Sequence, residues 1–169
     1  EKIDYLKKVL RGKYGWELWA KVYRRELFDE PMYIPCHLRI GEDATVYMQL
    51  VARSCKVKII NEALYNYIQY PSSASHQRSV TLAEETLQAA FYIDHLLKKE
   101  SFYQEIRDEI DAMYLLFYSN STRKAFLRLN HPLIYQVYQE HYSLRALKIL
   151  PLFKSIYISL SLLLRKTLS

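Results

Sequence analysis

The chain has 169 residues, half of them hydrophobic and a quarter charged, with three glycines and two cysteines, which suits one compact domain with a sizeable core and excludes a disordered tail or a repeat array. Cys36 and Cys55 have neither CxxC spacing nor a histidine cluster beside them, so a zinc site and a disulfide framework are disfavoured and a reducing, cytoplasmic setting is expected. The net charge is +6, and five positive charges, Arg145, Lys148, Lys154, Arg165 and Lys166, follow the last acidic residue, Glu140. The basicity therefore belongs to the tail; a nucleic-acid partner, which would favour a basic folded face, is not expected.

In chain order, "GWELWAKVYRRELF" (residues 15–28) is predicted as an aromatic-rich helix, with Leu18 and Val22 on one stripe and Trp19, Tyr23 and Leu27 beside it. A loop with Pro31 and Pro35 follows, Gly41 permits a turn, and "EDATVYMQLVARS" (42–54) resumes a helical pattern whose last turn carries Arg53. Alternation in "KVKIINEALYNYIQY" (56–70) predicts two short strands around Asn61–Glu62. Thr81 with Glu84, and Ser101 with Gln104, read as capping boxes opening two helices. A further helix is expected over Ser121–Leu129, and Pro132 starts another. The tail, 144–169, is apolar and basic, but Pro151 and Lys154 interrupt it and the uncharged run Ser155–Leu164 falls short of the roughly 20 residues needed to span a bilayer. Two readings stay open for it: a basic amphipathic helix on an anionic membrane surface, or a last helix packed on the bundle with Lys and Arg snorkelling outward.

Acidic residues at a helix start face the free N–H groups and the positive end of the dipole, so the Glu42–Asp43 pair is by itself a helix opening. Its neighbours add to that. The order of "W-E-L-W-A-K-V-Y-R-R", "G-E-D-A-T-V-Y-M-Q-L", "V-K-I-I-N-E-A-L-Y-N-Y-I" and "S-S-A-S-H", over about residues 14–78, resembles the carboxyl-terminal half of bacterial family 2 glycosyltransferases of the GT-A fold. Trp19, Lys21, Tyr23, Arg24 and Arg25 fill the first element, Glu42 and Asp43 the second, and Leu64, Tyr65 and Tyr67 the third.

The resemblance implies a mainly α chain with a small β-hairpin (α+β). Residues 1–80 would be the acceptor-side part of a GT-A domain, 81–143 a helical extension and 144–169 the tail. It implies inverting transfer of a sugar from a nucleotide-sugar donor to a glycan or lipid-linked acceptor, in the cytoplasm or at the inner membrane face. Asp43 would be the general base and Glu42 an orienting or acceptor-binding residue. Trp19, Lys21, His76 and Arg78 are candidate acceptor or donor contacts, with His76 also a candidate metal contact, although a core tryptophan and solvated loop residues account for them more simply. The chain opens at Glu1, and no Asp-x-Asp pair or nucleotide-binding strand series is visible. A divalent cation, Mg or Mn, is accordingly expected to be bound mainly by an amino-terminal half missing here, leaving this piece inactive alone and without a metal site of its own. The alternative from another class is a helical protein- or membrane-interaction module without catalysis.

Overall fold

The computed structural model describes residues 2–68, 70, 79–124 and 131–168. Among these, the regular elements are all helical: α1 (Lys2–Leu10), α2 (Glu42–Arg53), α3 (Val80–Leu97), α4 (Arg107–Lys124), α5 (Pro132–His141), α6 (Leu144–Ile149) and α7 (Leu152–Leu168), with 3-10 turns at Arg25–Phe28 and Tyr103–Ile106.

Helix α4 is the axis of the fold. From Ile110 to Ser119 every residue is buried, as expected of a helix that meets neighbours all round; α1, α3, α5, α6 and α7 surround it. One core cluster runs from Leu6 through Met48, Leu87 and Met113 to Ile158, and each fully buried Leu or Ile contributes about 1.5–3 kcal/mol. Helix α1, unannounced beside its aromatic neighbours, buries Leu6, Val9 and Leu10. It ends at Gly12, φ +69°, where Gly12 N–H donates to the Val9 carbonyl and Lys13 N–H to the Lys8 carbonyl, a Schellman motif that needs a left-handed residue.

Four expectations are corrected. Residues 15–28 do not form a helix: Ala20 is left-handed at φ 57°, Lys21 Nζ takes the Glu17 carbonyl at 2.6 Å and Tyr23 Oη the Leu18 carbonyl at 3.2 Å, so side chains occupy acceptors a helix would use. Val22, assigned to the buried stripe, is 99% exposed. Among the described residues the β-hairpin expected over 56–70 is absent, and with it the α+β class and the sheet that an acceptor-side GT-A domain would require. The segment runs as irregular chain with Ile59, Ile60, Leu64 and Ile68 exposed. A two-stranded ribbon is marginal without a layer to cover its apolar face, and here α2 and α3 pack against each other instead. The capping boxes also shift. Ser79, not Thr81, caps α3, accepting from Leu82 N–H at 3.1 Å, and Ser101–Gln104 leads into a 3-10 turn without a side-chain cap. The helix expected over 121–129 is, as far as Lys124, the end of α4, the remainder lying outside the described residues.

The loop between α1 and α2 is held by side chains of α2 at i, i+4 and i+8. Thr45 Oγ1 donates to the Gly41 carbonyl at 2.9 Å. The Gln49 amide accepts from Tyr33 N–H at 3.0 Å and donates to the Tyr33 carbonyl at 2.8 Å, a strand-like pairing made by one buried side chain. Arg53 donates to the carbonyls of Leu27, Glu30 and Pro31. Three polar residues on one helical face thus replace a ladder.

Further from the loop, α3, α4 and α5 share a closed ring of mostly buried polar groups. Asp94 accepts from Tyr103 Oη at 2.6 Å and Tyr114 Oη at 3.3 Å. Arg107 bonds Tyr103 Oη and pairs with Asp111 at 3.2 Å. Asp111 meets His141 Nδ1 at 2.9 Å, and the His141 ring stacks on Tyr114. Burial, reinforced by Asp94, pushes the Tyr103 phenol up to about 12, and burial also raises Tyr114. A phenol whose folded value lies above its unfolded value of about 10 stabilises the fold fully below pH 10 and loses that contribution as pH rises through about 12. Helical circular dichroism should therefore collapse between those values, together with a second rise in tyrosinate absorbance. Complete tyrosinate formation with helix retained would refute this.

Candidate functional site

The amino end of α2 opens on a cleft of about 280 Å³ lined by Trp16, Glu17, Ile40, Gly41, Asp43, Ala44, Thr86 and Phe117. Its walls are apolar apart from two carboxylates and a hydroxyl. Trp16 is fixed by donating Nε1–H to the Val9 carbonyl at 2.9 Å and by edge contact with Phe117 at 4.5 Å. Thr86 Oγ1 donates to the Leu82 carbonyl at 2.8 Å.

Asp43 reaches this cleft because of what precedes it. Gly41 is left-handed, φ +98°, and a Cβ there would lie 2.4 Å from Ala89 Cβ, so the chain turns tightly against α3 before α2 begins. The turn is pinned by Arg39 and Glu85. Arg39 N–H and guanidinium bond both oxygens of Glu85 at 2.9–3.1 Å. Burial would push the Glu85 carboxyl up, but these bonds outweigh it and lower it. No side chain caps α2, so the first N–H groups of the helix lack a side-chain cap beside Asp43, which lines the cleft.

Three tyrosines, Tyr5, Tyr23 and Tyr47, lie near the carboxylates. Tyr5 and Tyr47 share a hydroxyl–hydroxyl bond. Burial, with Tyr5, Asp43 and Glu17 adding to it, pushes the Tyr23 phenol up to about 12, which places Tyr23 in the field of both cleft carboxylates. Lys21 organises the same corner: it lies 3.8 Å from Glu17 Oε1 and 4.8 Å from the Tyr47 ring centroid.

The residues expected from sequence separate into groups. Asp43 lines the cleft. Glu42 does not; its Oε2 is shielded from solvent without a hydrogen-bond partner. Lys21 positions Glu17 and the 17–21 turn. Trp19 is 37% exposed outside the cleft, stacked on Tyr67 at 4.4 Å and Tyr65 at 5.3 Å. Three separated segments are thereby joined, since Trp19 meets Tyr65 and Tyr67 while Lys21 meets Tyr47 on α2. His76 and Arg78 lie outside the described residues. Glu17 was missed, its signal being a lone acid in "W-E-L-W". Cys36 and Cys55 are free and exposed. Among the described residues no group of three or more His, Cys, Asp or Glu is placed to hold a metal ion; Glu17 and Asp43 do not by themselves make a cation site.

The class that fold and site define is a helical domain with an open, apolar-walled cleft bearing two carboxylates. The chain is similar to the uncharacterized glycosyltransferase EpsJ of Bacillus subtilis (strain 168), with 27% identity over 92 residues, 54% of this chain and 27% of that protein. The match thus spans about a quarter of the relative's length and ties part of the chain to a glycosyltransferase. No family model matches, and no solved structure matches.

Proposed function

We propose that this chain is part of an inverting glycosyltransferase of the family 2 kind, moving a sugar from a nucleotide-sugar donor to a glycan or lipid-linked acceptor, with Asp43 as general base. The observation that carries the reading is Asp43, at the uncapped start of α2, among the residues lining an open cleft together with Trp16 and Phe117, in a chain partly similar to a glycosyltransferase. Aromatic walls suit a sugar ring, whose C–H faces pack on them. In the step, the acceptor hydroxyl oxygen bonds to the anomeric carbon, the bond to the donor phosphate breaks with its electrons leaving on the nucleotide, and the hydroxyl proton passes to Asp43. Attack opposite the leaving group inverts the carbon, so one base suffices.

Glu17 would orient the acceptor, held by Lys21. Glu42 would support the helix start, Trp19 would offer a second aromatic face on the Tyr65–Tyr67 shelf, and His76 with Arg78 would meet the donor phosphates. A divalent cation, Mg or Mn, would be held mainly by residues beyond this chain. The test uses the protein at its full natural length with a panel of nucleotide sugars and acceptors extracted from its membranes. Consumption of one donor with an inverted anomeric product is expected. Retained configuration would defeat the single-base mechanism, and no consumption of any donor would defeat the transferase reading.

A further inference from the structure

We propose that α7 lies along an anionic membrane surface, with its exposed apolar face set into the headgroup–acyl boundary. Leu152, Phe153, Ile156, Leu160 and Leu163 are each 50–76% exposed. At 100° per residue they fall within an arc of roughly 100°, a continuous stripe along one side of the helix. The opposite side is fixed to the bundle: Ile158 and Ser161 are buried, Tyr118 and Ser161 share a hydroxyl bond at 2.8 Å, and Tyr157 Oη donates to Thr122 Oγ1 at 2.9 Å. Helix α7 cannot roll to hide the stripe without breaking these contacts. The expected packing of a last helix on the bundle is thus seen in α7, and among the described side chains the side facing out is apolar.

Charge identifies the occupant. Beyond Glu140 the chain has five Lys and Arg and no Asp or Glu, and α6 exposes Arg145 and Lys148 beside Leu144, 70% exposed. An apolar stripe in a stretch of chain whose only charges are basic matches anionic lipid, where hydrophobic insertion and attraction to the headgroups act together. Among the described residues no helix is long and apolar enough to cross a membrane, so the geometry is one of lying on the surface. The inference is independent of the chemistry proposed for the cleft.

Flotation of the purified chain with vesicles tests it. Binding is expected to mixed phosphatidylglycerol–phosphatidylcholine vesicles, weakening as salt rises, and not to phosphatidylcholine alone. The triple variant Ile156→Ser, Leu160→Ser, Leu163→Ser changes only exposed positions and should keep its circular dichroism while losing at least tenfold in binding. Arg145→Glu with Lys148→Glu should also weaken binding with the stripe intact. Absence of flotation, equal binding to neutral vesicles, or a triple variant that floats like the parent would overturn the proposal. So would a stripe that serves a second copy of the chain, seen as a dimer that the triple variant dissolves while neither protein floats.

Discussion

Asp43→Asn is expected to lower the turnover of sugar transfer by about 10²–10⁴-fold, the usual worth of a positioned general base, with donor affinity nearly unchanged. The amide keeps the size of the carboxylate and its place at the amino end of α2, but it cannot accept the acceptor's proton. Losing a negative charge at a helix start costs only about 0.3–1 kcal/mol, too little to unfold the domain and mimic catalytic loss. Two companions sharpen the result. Glu42→Gln should change turnover less than tenfold, because Glu42 is not among the residues lining the cleft. Glu17→Gln should act mainly on acceptor KM, since Glu17 shares the cleft with Asp43 but is tied to Lys21. Single-turnover transfer beside calorimetric donor binding separates these outcomes. Unchanged turnover in Asp43→Asn would return the Glu42–Asp43 pair to a helix opening.

What could be read from sequence was what depends on near neighbours. The helix at 42–54 and the Pro132 start hold in α2 and α5, because apolar periodicity and a proline at the first helical position act locally. The failures share a cause. Residues 15–28 have helical periodicity, but their aromatic side chains find better partners far away, Trp16 on Phe117 and Trp19 on Tyr65 and Tyr67, and tertiary contacts override weak propensity. The alternation at 56–70 is real but has no layer to bury it. Arg53 was legible only as a cation at a helix carboxyl end, whereas it binds three carbonyls of a loop 22 to 26 residues earlier. Thr45, Gln49 and Arg53 show the i, i+4, i+8 spacing openly, but nothing nearby says what such a stripe would hold. Asp43 was legible as part of a helix opening, a local event; that Glu17 shares its cleft was not, because the segment of Glu17 was assigned the wrong backbone.

Gly41→Ala tests whether that opening depends on the turn before it. Two costs meet at this position. A left-handed backbone at φ +98° costs an L-residue about 1–2 kcal/mol, and a methyl group 2.4 Å from Ala89 Cβ must push α2 and α3 apart, an overpacking penalty of about 1–3 kcal/mol. Urea unfolding should show a loss of about 2–5 kcal/mol, a large share of a domain's whole stability. The double variant with Ala89→Gly separates the terms: removing the facing methyl should relieve the overpacking, less about 1 kcal/mol for glycine inside α3, and leave the backbone cost in place. If Gly41→Ala alone cost less than the backbone term, the tight turn would not be what sets Asp43 in the cleft. If the pair proved additive, the close approach of α2 to α3 would not be what makes glycine necessary. The same displacement should lower transfer even in molecules that remain folded, because the turn that brings Gly41 against Ala89 is also the one that aims the start of α2 at the cleft.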